Sequence, residues 1–355
     1  MFKLNTLFAA ILAVSAAQAF AANSDADVYQ EGTKQNAEIT QEGAWQTSKI
    51  VQFGKLNTAT TNQKSPWFLS GNKSYVEQSG TENTAAVDQT GGSHNASVKQ
   101  WDKIQKATVT QTGFDNSSKS EQWGKNNDLK VVQSDKFNES DIKQGGARNK
   151  ATVDQYGKYG TSEIAQYGDQ NDATVDQAGV ANGAVIKQWS DHQTATVSQT
   201  GYGNHSYSEQ SNGTHNSLEV TQGGSSNESY IYQLGNRNDA LVEQSGKSNE
   251  SKISQNGRDN EAEVKQTGDY GNVDLHQDGD ENFADITQSG FDNDLVAVQY
   301  GDENSLISQQ SGSSNDAYVL QDGDHNVATL TQSGYNDAAY VTQLGNSNIA
   351  TVTQQ

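Results

Sequence analysis

The side chains that recur at fixed spacing in this chain are carboxamides. Glutamine stands at 30, 41, 52 and 63, at every eleventh position from 78 to 210, and again from 222 to 354, thirty positions in all. An amide both donates and accepts hydrogen bonds, so it can bond to an identical amide above and below it. The chemistry such a series offers is recognition of its own copies. No competing chemistry shows the same order. The six histidines, 94, 192, 205, 215, 276 and 325, fall mostly in or beside turn segments without a partner at fixed spacing, which argues against a catalytic or metal site and against a bound cofactor.

Positioning these amides needs a repeated element. Of the 29 intervals between successive glutamines, 27 are eleven residues long; one is 15 (Gln63 to Gln78) and one is 12 (Gln210 to Gln222). The unit reads Q-x-G-x-x-N-x-A-x-V-x-Q, as in Gln233 to Gln244, with glycine in 24 of the 29 units and asparagine in 21. From the asparagine onward the pattern alternates with period two, and the position two before Gln is mostly Val, Ile or Leu, so each unit predicts a strand. The x-G-x-x segment predicts a tight turn with positive φ at glycine. The candidate ladder residues are thus Gln30, Gln41, Gln52, Gln233, Gln244, Gln255, Gln266, Gln343 and Gln354, with Asn238, Asn249, Asn260 and Asn348, and the turn glycines are Gly32, Gly43, Gly235, Gly246, Gly257 and Gly345.

A period of 22 overlies the period of eleven. Serine replaces alanine two residues after the asparagine site at 48, 74, 118, 140, 162, 206, 229 and 251, always in one alternating set of units. Two strands and two turns per 22 residues predict an all-β, two-sheet β-solenoid of about fifteen coils over residues 22–355, with amyloid-like cross-β stacking. At about 4.8 Å per coil the rod is roughly 70 Å long. Stacked amides and a thin seam of Val, Ile and Ala would then replace a thick core.

Composition agrees. The 355 residues include 33 Gly, one Pro and no Cys, only 32% are hydrophobic, and the formal net charge is -21. So acidic a chain is a poor partner for nucleic acid, and nothing in it spans a bilayer. Residues 1–21, with Lys3, the apolar run Leu7 to Val14 and small residues at Ala17, Ala19 and Ala21, read as a signal peptide, so the mature chain is expected to be exported. The last unit, Gln343 to Gln354, is near consensus; strand edges without atypical capping repeats would pair with further copies and generate filaments.

The unit closely resembles the curlin repeat, S-x5-Q-x-G-x-x-N-x-A-x3-Q. Asn249-x5-Gln255-x-Gly257-x-x-Asn260-x-Ala262-x3-Gln266 fits it everywhere but the first position, where the family has Ser, and Ser24-x5-Gln30-x-Gly32 keeps that opening. The resemblance implies a structural subunit, not an enzyme, of an extracellular functional amyloid: a curli-like fibre (pilus) at the surface of a Gram-negative bacterium, serving adhesion, aggregation and biofilm. It also implies a nucleator subunit and an outer-membrane secretion channel as partners. This chain carries more repeats than usual for the family and only a few residues between Ala21 and Ser24, where relatives carry a Gly-rich segment. Its near-consensus last unit favours the major subunit over the nucleator. The competing reading is a monomeric surface adhesin built on the same solenoid.

Three further expectations follow from the residues. After Gln266 there are 14 Asp or Glu and no Lys or Arg, against 30 acids and 22 bases in the mature chain before it. Turn acids there (Asp269, Asp280, Asp292, Asp302, Asp324) should repel one another, so that acid, salt or divalent cations speed assembly. The insertion at 64–71, with Pro66, Trp67, Phe68 and Leu69, is either a docking knob or a loop folded back on the rod. A calcium β-roll is disfavoured by the eleven-residue period, an ice-binding array by the mixed outward residues Glu38, Lys49, Thr60 and Tyr75, and a solenoid hydrolase by the lack of non-repeating loops.

Overall fold

The computed structural model describes residues 23–66 and 69–355. The segment of residues 1–21 expected to be a signal peptide and the two central aromatics of the insertion, Trp67 and Phe68, lie outside the described residues.

Thirty strands, from β1 (Asp25–Thr33) to β30 (Ile349–Gln354), follow one another without a helix among the described residues. Odd-numbered strands form one parallel sheet of 15 and even-numbered strands a second sheet of 15, each strand pairing with the strand two along. One odd and one even strand make a coil, so the chain is a β-solenoid of 15 coils. The register is unbroken: Val153 pairs with Val175, Gln155 with Gln177 and Gly157 with Gly179. The two insertions leave it intact, for Gln52 still pairs with Gln78 and Gln199 with Gln222.

Alternation decides which residues go inside. In β12 (Lys150–Lys158) the inward Ala151, Val153 and Gln155 are buried while Thr152 and Asp154 face outward, as a pleated strand with one packed face requires. Repeated in every coil, this makes one continuous apolar seam of Val, Ile, Leu and Ala between the sheets. The eight serines that set the 22-residue period all lie on odd strands. Strand length is not uniform: β12 and β14 (Asp172–Val180) pair over nine residues, β24 (Phe283–Gln288) and β26 (Ser305–Gln310) over six.

The turns need two unusual backbone conformations. Gly235 has φ 102° and Gly257 φ 121°, and a Cβ on Gly235 would overlap the carbonyl oxygen of Gly257 one coil along, so both conformation and close approach demand glycine. The second position is seldom glycine. Two residues later Arg237, Asp259, Glu281 and Glu303 take φ between 55° and 59°, a left-handed conformation costly for such residues. The turn holds them there because their N–H groups bond to the adjacent coil, as Asp259 N–H does to the Asn236 carbonyl at 3.0 Å.

Around the insertion, Ser65 N–H donates to the Glu42 carbonyl at 2.9 Å, Leu69 N–H to the Pro66 carbonyl at 3.1 Å, and the Ser70 carbonyl accepts from Ser93 at 3.0 Å. Its described residues are joined to the coils on both sides.

Candidate assembly interface

Every ladder glutamine is placed by the same three constraints: an inward position on a strand, a turn directly after it, and a copy of itself one coil away. Gln133 is fully buried. Its Nε2 donates to Gln155 Oε1 at 2.8 Å and to the Ser117 carbonyl of the opposite sheet at 2.9 Å, and its Oε1 accepts from Gln111 at 2.8 Å. Both donors are used and burial costs nothing further in lost hydrogen bonds. The sequence-predicted positions follow suit: Gln233 donates to Gln255 at 2.9 Å, Gln244 to Gln266 at 2.8 Å, and Gln255 to Gln277 at 3.0 Å.

These bonds share one direction. In each, the lower-numbered coil donates and the higher-numbered coil accepts. In the first described coil Gln30 and Gln41 give their Nε2 to Gln52 and Gln63 at 2.6 and 3.0 Å, and their Oε1 atoms accept from no described residue. In the last described coil Gln354 accepts from Gln332 at 2.9 Å, Gln343 accepts from Gln321 at 2.9 Å, and their Nε2 atoms donate only to the Ala338 and Val327 carbonyls at 3.0 Å. One coil face therefore shows glutamine oxygens and the other glutamine N–H groups, a complementary pair. The apolar seam is open at the same faces, where Val28, Ala37 and Ile39, and Ala350 and Val352, are only partly buried.

Asparagine adds a turn clamp to its amide stacking, in which Asn260 Nδ2 donates to Asn238 Oδ1 at 3.1 Å. Asn238 Nδ2 donates to the Leu234 carbonyl of its own turn at 3.0 Å and to the Gly257 carbonyl of the next coil at 3.2 Å, while its Oδ1 accepts the Asn260 backbone N–H at 3.1 Å. Asn249 and Asn260 repeat the arrangement, and Asn348 bonds back to Asn326 at 2.9 Å. Asparagine is thus a clamp on the turn, tying side chain to backbone. His94 shows what the clamp requires. It replaces asparagine, its Nε2 lies 3.2 Å from the Thr90 carbonyl, and its Nδ1 accepts the Asn116 N–H at 3.2 Å. Burial, partly countered by backbone bonds, holds its pKa below the ordinary value, and the neutral ring reproduces the donor and acceptor of the amide.

One set of core residues escaped the sequence reading. Ser48 Oγ lies 2.7 Å from Thr61 Oγ1, so the position four before Gln in one sheet faces the position two before Gln in the other. By that register Ser120 faces Leu129, Ser208 faces Leu218, Ala297 faces Leu306 and Ser308 faces Leu295, all buried. Wherever the aliphatic column shrinks in these coils, a leucine opposite refills the volume. The signal was present as a second, four-coil spacing of Leu129, Leu218 and Leu306.

Outside, charge is arranged between coils. Lys106 pairs with Asp128 at 3.1 Å, Lys150 with Asp172 at 3.0 Å and Lys265 with Glu243 at 2.8 Å, each 22 residues apart. Arg237 holds Asp259 bidentately at 2.6 Å, and that bond depresses the carboxyl below its ordinary range. Turn carboxylates also accept backbone N–H groups in both stretches: Asp169 accepts the Ala147 N–H at 2.8 Å, Asp302 the Asp280 N–H at 2.9 Å and Asp324 the Asp302 N–H at 3.1 Å. Aromatics that follow Gln stack along the rod, Tyr167 on Trp189 at 4.8 Å and 5°. No group of three His, Cys, Asp or Glu placed to hold a metal occurs among the described residues.

The chain matches the family described as curlin associated repeat over ten segments, residues 21–54, 75–100, 138–168, 168–201, 193–224, 213–246, 235–268, 272–301, 301–334 and 326–355, well over half its length. No curated protein matches it.

Proposed function

The chain belongs to the curlin family, and on that premise we propose that it is the major structural subunit of an extracellular, curli-like amyloid fibre that serves adhesion, aggregation and biofilm matrix. In this reading residues 1–21 direct export of the mature repeats of residues 22–355, the protein reaches the surface of a Gram-negative cell through an outer-membrane channel, and a nucleator subunit starts the fibre. The role is structural rather than enzymatic.

The observation that carries the proposal is the directional amide ladder. A face bearing the Gln343 and Gln354 N–H groups fits a face bearing the Gln30 and Gln41 oxygens of another copy, just as each coil fits the next. Stacking also covers the open ends of the apolar seam. Head-to-tail contacts of this kind do not close, and they extend into filaments.

The test is dilution of denatured, signal-free protein into buffer, followed by thioflavin T with and without seeds, and fibre diffraction of the product. Seedable growth and reflections near 4.7 and about 10 Å are expected. A stable monomer with β circular dichroism would overturn the fibre reading in favour of a monomeric surface adhesin.

A further inference from the structure

The outward face of the even-stranded sheet changes character in its last three coils. At the three outward positions of each strand stand Ser305, Ile307 and Gln309, then Val327, Thr329 and Thr331, then Ile349, Thr351 and Thr353, in register. None is charged. The same positions two coils before this block are Glu261, Glu263 and Lys265, and no other three consecutive coils of this sheet lack a charge. Ile307 is 46% exposed and Val327 38%, so aliphatic side chains remain in water on a flat, largely β-branched surface. Such a surface packs well against a second sheet. The odd-stranded sheet of these coils also carries apolar residues, Val296, Val298 and Leu320, but Asp294 and Asp316 line its margin.

We propose that this patch is a lateral contact between fibres, and that its occupant is the same patch on a second copy of the chain in a neighbouring filament. The proposal rests on the fibre reading above. Two features select the occupant. The side chains recur at one-coil spacing, which another rod with the same coil repeat reproduces along its own axis. A face without charge gives no handle to a charged partner, and burying it against its like leaves no unpaired ion.

Area sets the condition under which the contact works. Three strands about 4.8 Å apart and five residues at about 3.3 Å each cover roughly 240 Å², whereas a stable interface takes about 800 Å² per partner. One pair of monomers falls short. In a filament the patch returns once per subunit, about every 70 Å, and three or four successive subunits reach the required area through multivalency. Lateral pairing is therefore a property of fibres and not of monomers. The turn carboxylates Asp302 and Asp324 flank the patch, so pairing strengthens as salt shortens the Debye length.

The experiment compares fibres of wild type, Thr329→Lys at the centre of the patch, and Thr196→Lys on the same sheet in coil 8, by thioflavin T kinetics and by electron microscopy of fibre width at low and physiological salt. Wild type and Thr196→Lys are expected to form laterally paired filaments at physiological salt. Thr329→Lys is expected to give at least a fivefold higher fraction of single filaments, with its growth rate within about twofold of wild type. Ile307→Thr, which adds no charge, should show an intermediate fraction. Equal pairing in wild type and Thr329→Lys, equal loss in both lysine variants, or single filaments of wild type at every salt concentration would each overturn the contact. Absence of thioflavin-positive wild-type fibres would instead count against the fibre reading itself.

Discussion

Strand β22 (Glu261–Gln266) divides two stretches of rod built on one interior and finished differently outside. Before it, acids and bases alternate between coils, as in Lys106 with Asp128 or Arg237 with Asp259. After it no lysine or arginine remains; acids gather in the turns, where Asp302 and Asp324 accept backbone N–H groups, and the face of the even-stranded sheet turns neutral. The ladder crosses this boundary unchanged, with Gln255 to Gln277 at 3.0 Å and Gln277 to Gln299 at 2.9 Å. Inward residues therefore define the coil, and outward residues decide what approaches it.

That division can be broken most sharply at the ladder. Gln133→Glu removes two donors and buries a carboxylate against Gln155 Oε1, and Gln288→Glu does the same beyond the boundary. Both should cost about 3–5 kcal/mol, read as lost amide hydrogen-exchange protection in the substituted coil and its neighbours. A mild effect at one site alone would mean that the interior is not shared. Next come the compensating leucines. Leu129→Ala opposite Ser120 and Leu306→Ala opposite Ala297 should each lower stability by about 2–5 kcal/mol, again alike in the two stretches, by chemical denaturation.

The smallest effect differs in sign between two acids, one on each side of the boundary. Asp259 is depressed by its bond to Arg237, so its contribution is present above the ordinary aspartate value of 3.8 and is lost as pH falls through the lowered one. Asp294 is raised, first by burial, with Asp316 and Asp292 adding to it. Its contribution is complete below 3.8 and is lost as pH rises through the raised value. Acidification toward pH 4 should thus firm the coil around Asp294, and further acidification should loosen the coil around Asp259. Each effect is below about 1 kcal/mol at these solvent-screened sites, measurable as opposite pH trends in exchange protection, and each should vanish in Asp259→Asn and Asp294→Asn respectively.

The coil was legible in the sequence because its period is a spacing along the chain. Glutamine every eleventh residue and serine confined to alternate units already imply two sheets and 22-residue coils. Two features were hidden because they depend on what faces what. Leu129 explains Ser120 only once the turn geometry places the two opposite, as the Ser48 and Thr61 hydroxyls reveal. Asparagine forms the second ladder that the spacing suggests, but its grip on the turn carbonyls is seen only in the fold. The left-handed Arg237 and Asp259 carry no residue-type signal, since their neighbours in the fold, rather than their side chains, impose the conformation.

Strand length has a mechanical consequence. A pull along the rod loads all the hydrogen bonds of one coil-to-coil junction side by side, so the strength of a junction scales with the number of paired residues. Coils 6 and 7 share nine pairs in each sheet, whereas coils 8 and 9 share only six in each, which makes the junction of coils 8 and 9 a weak link in tension. Shear or stretching would then cut the rod preferentially there, and each cut would expose one face of glutamine oxygens and one of glutamine N–H groups ready to grow again.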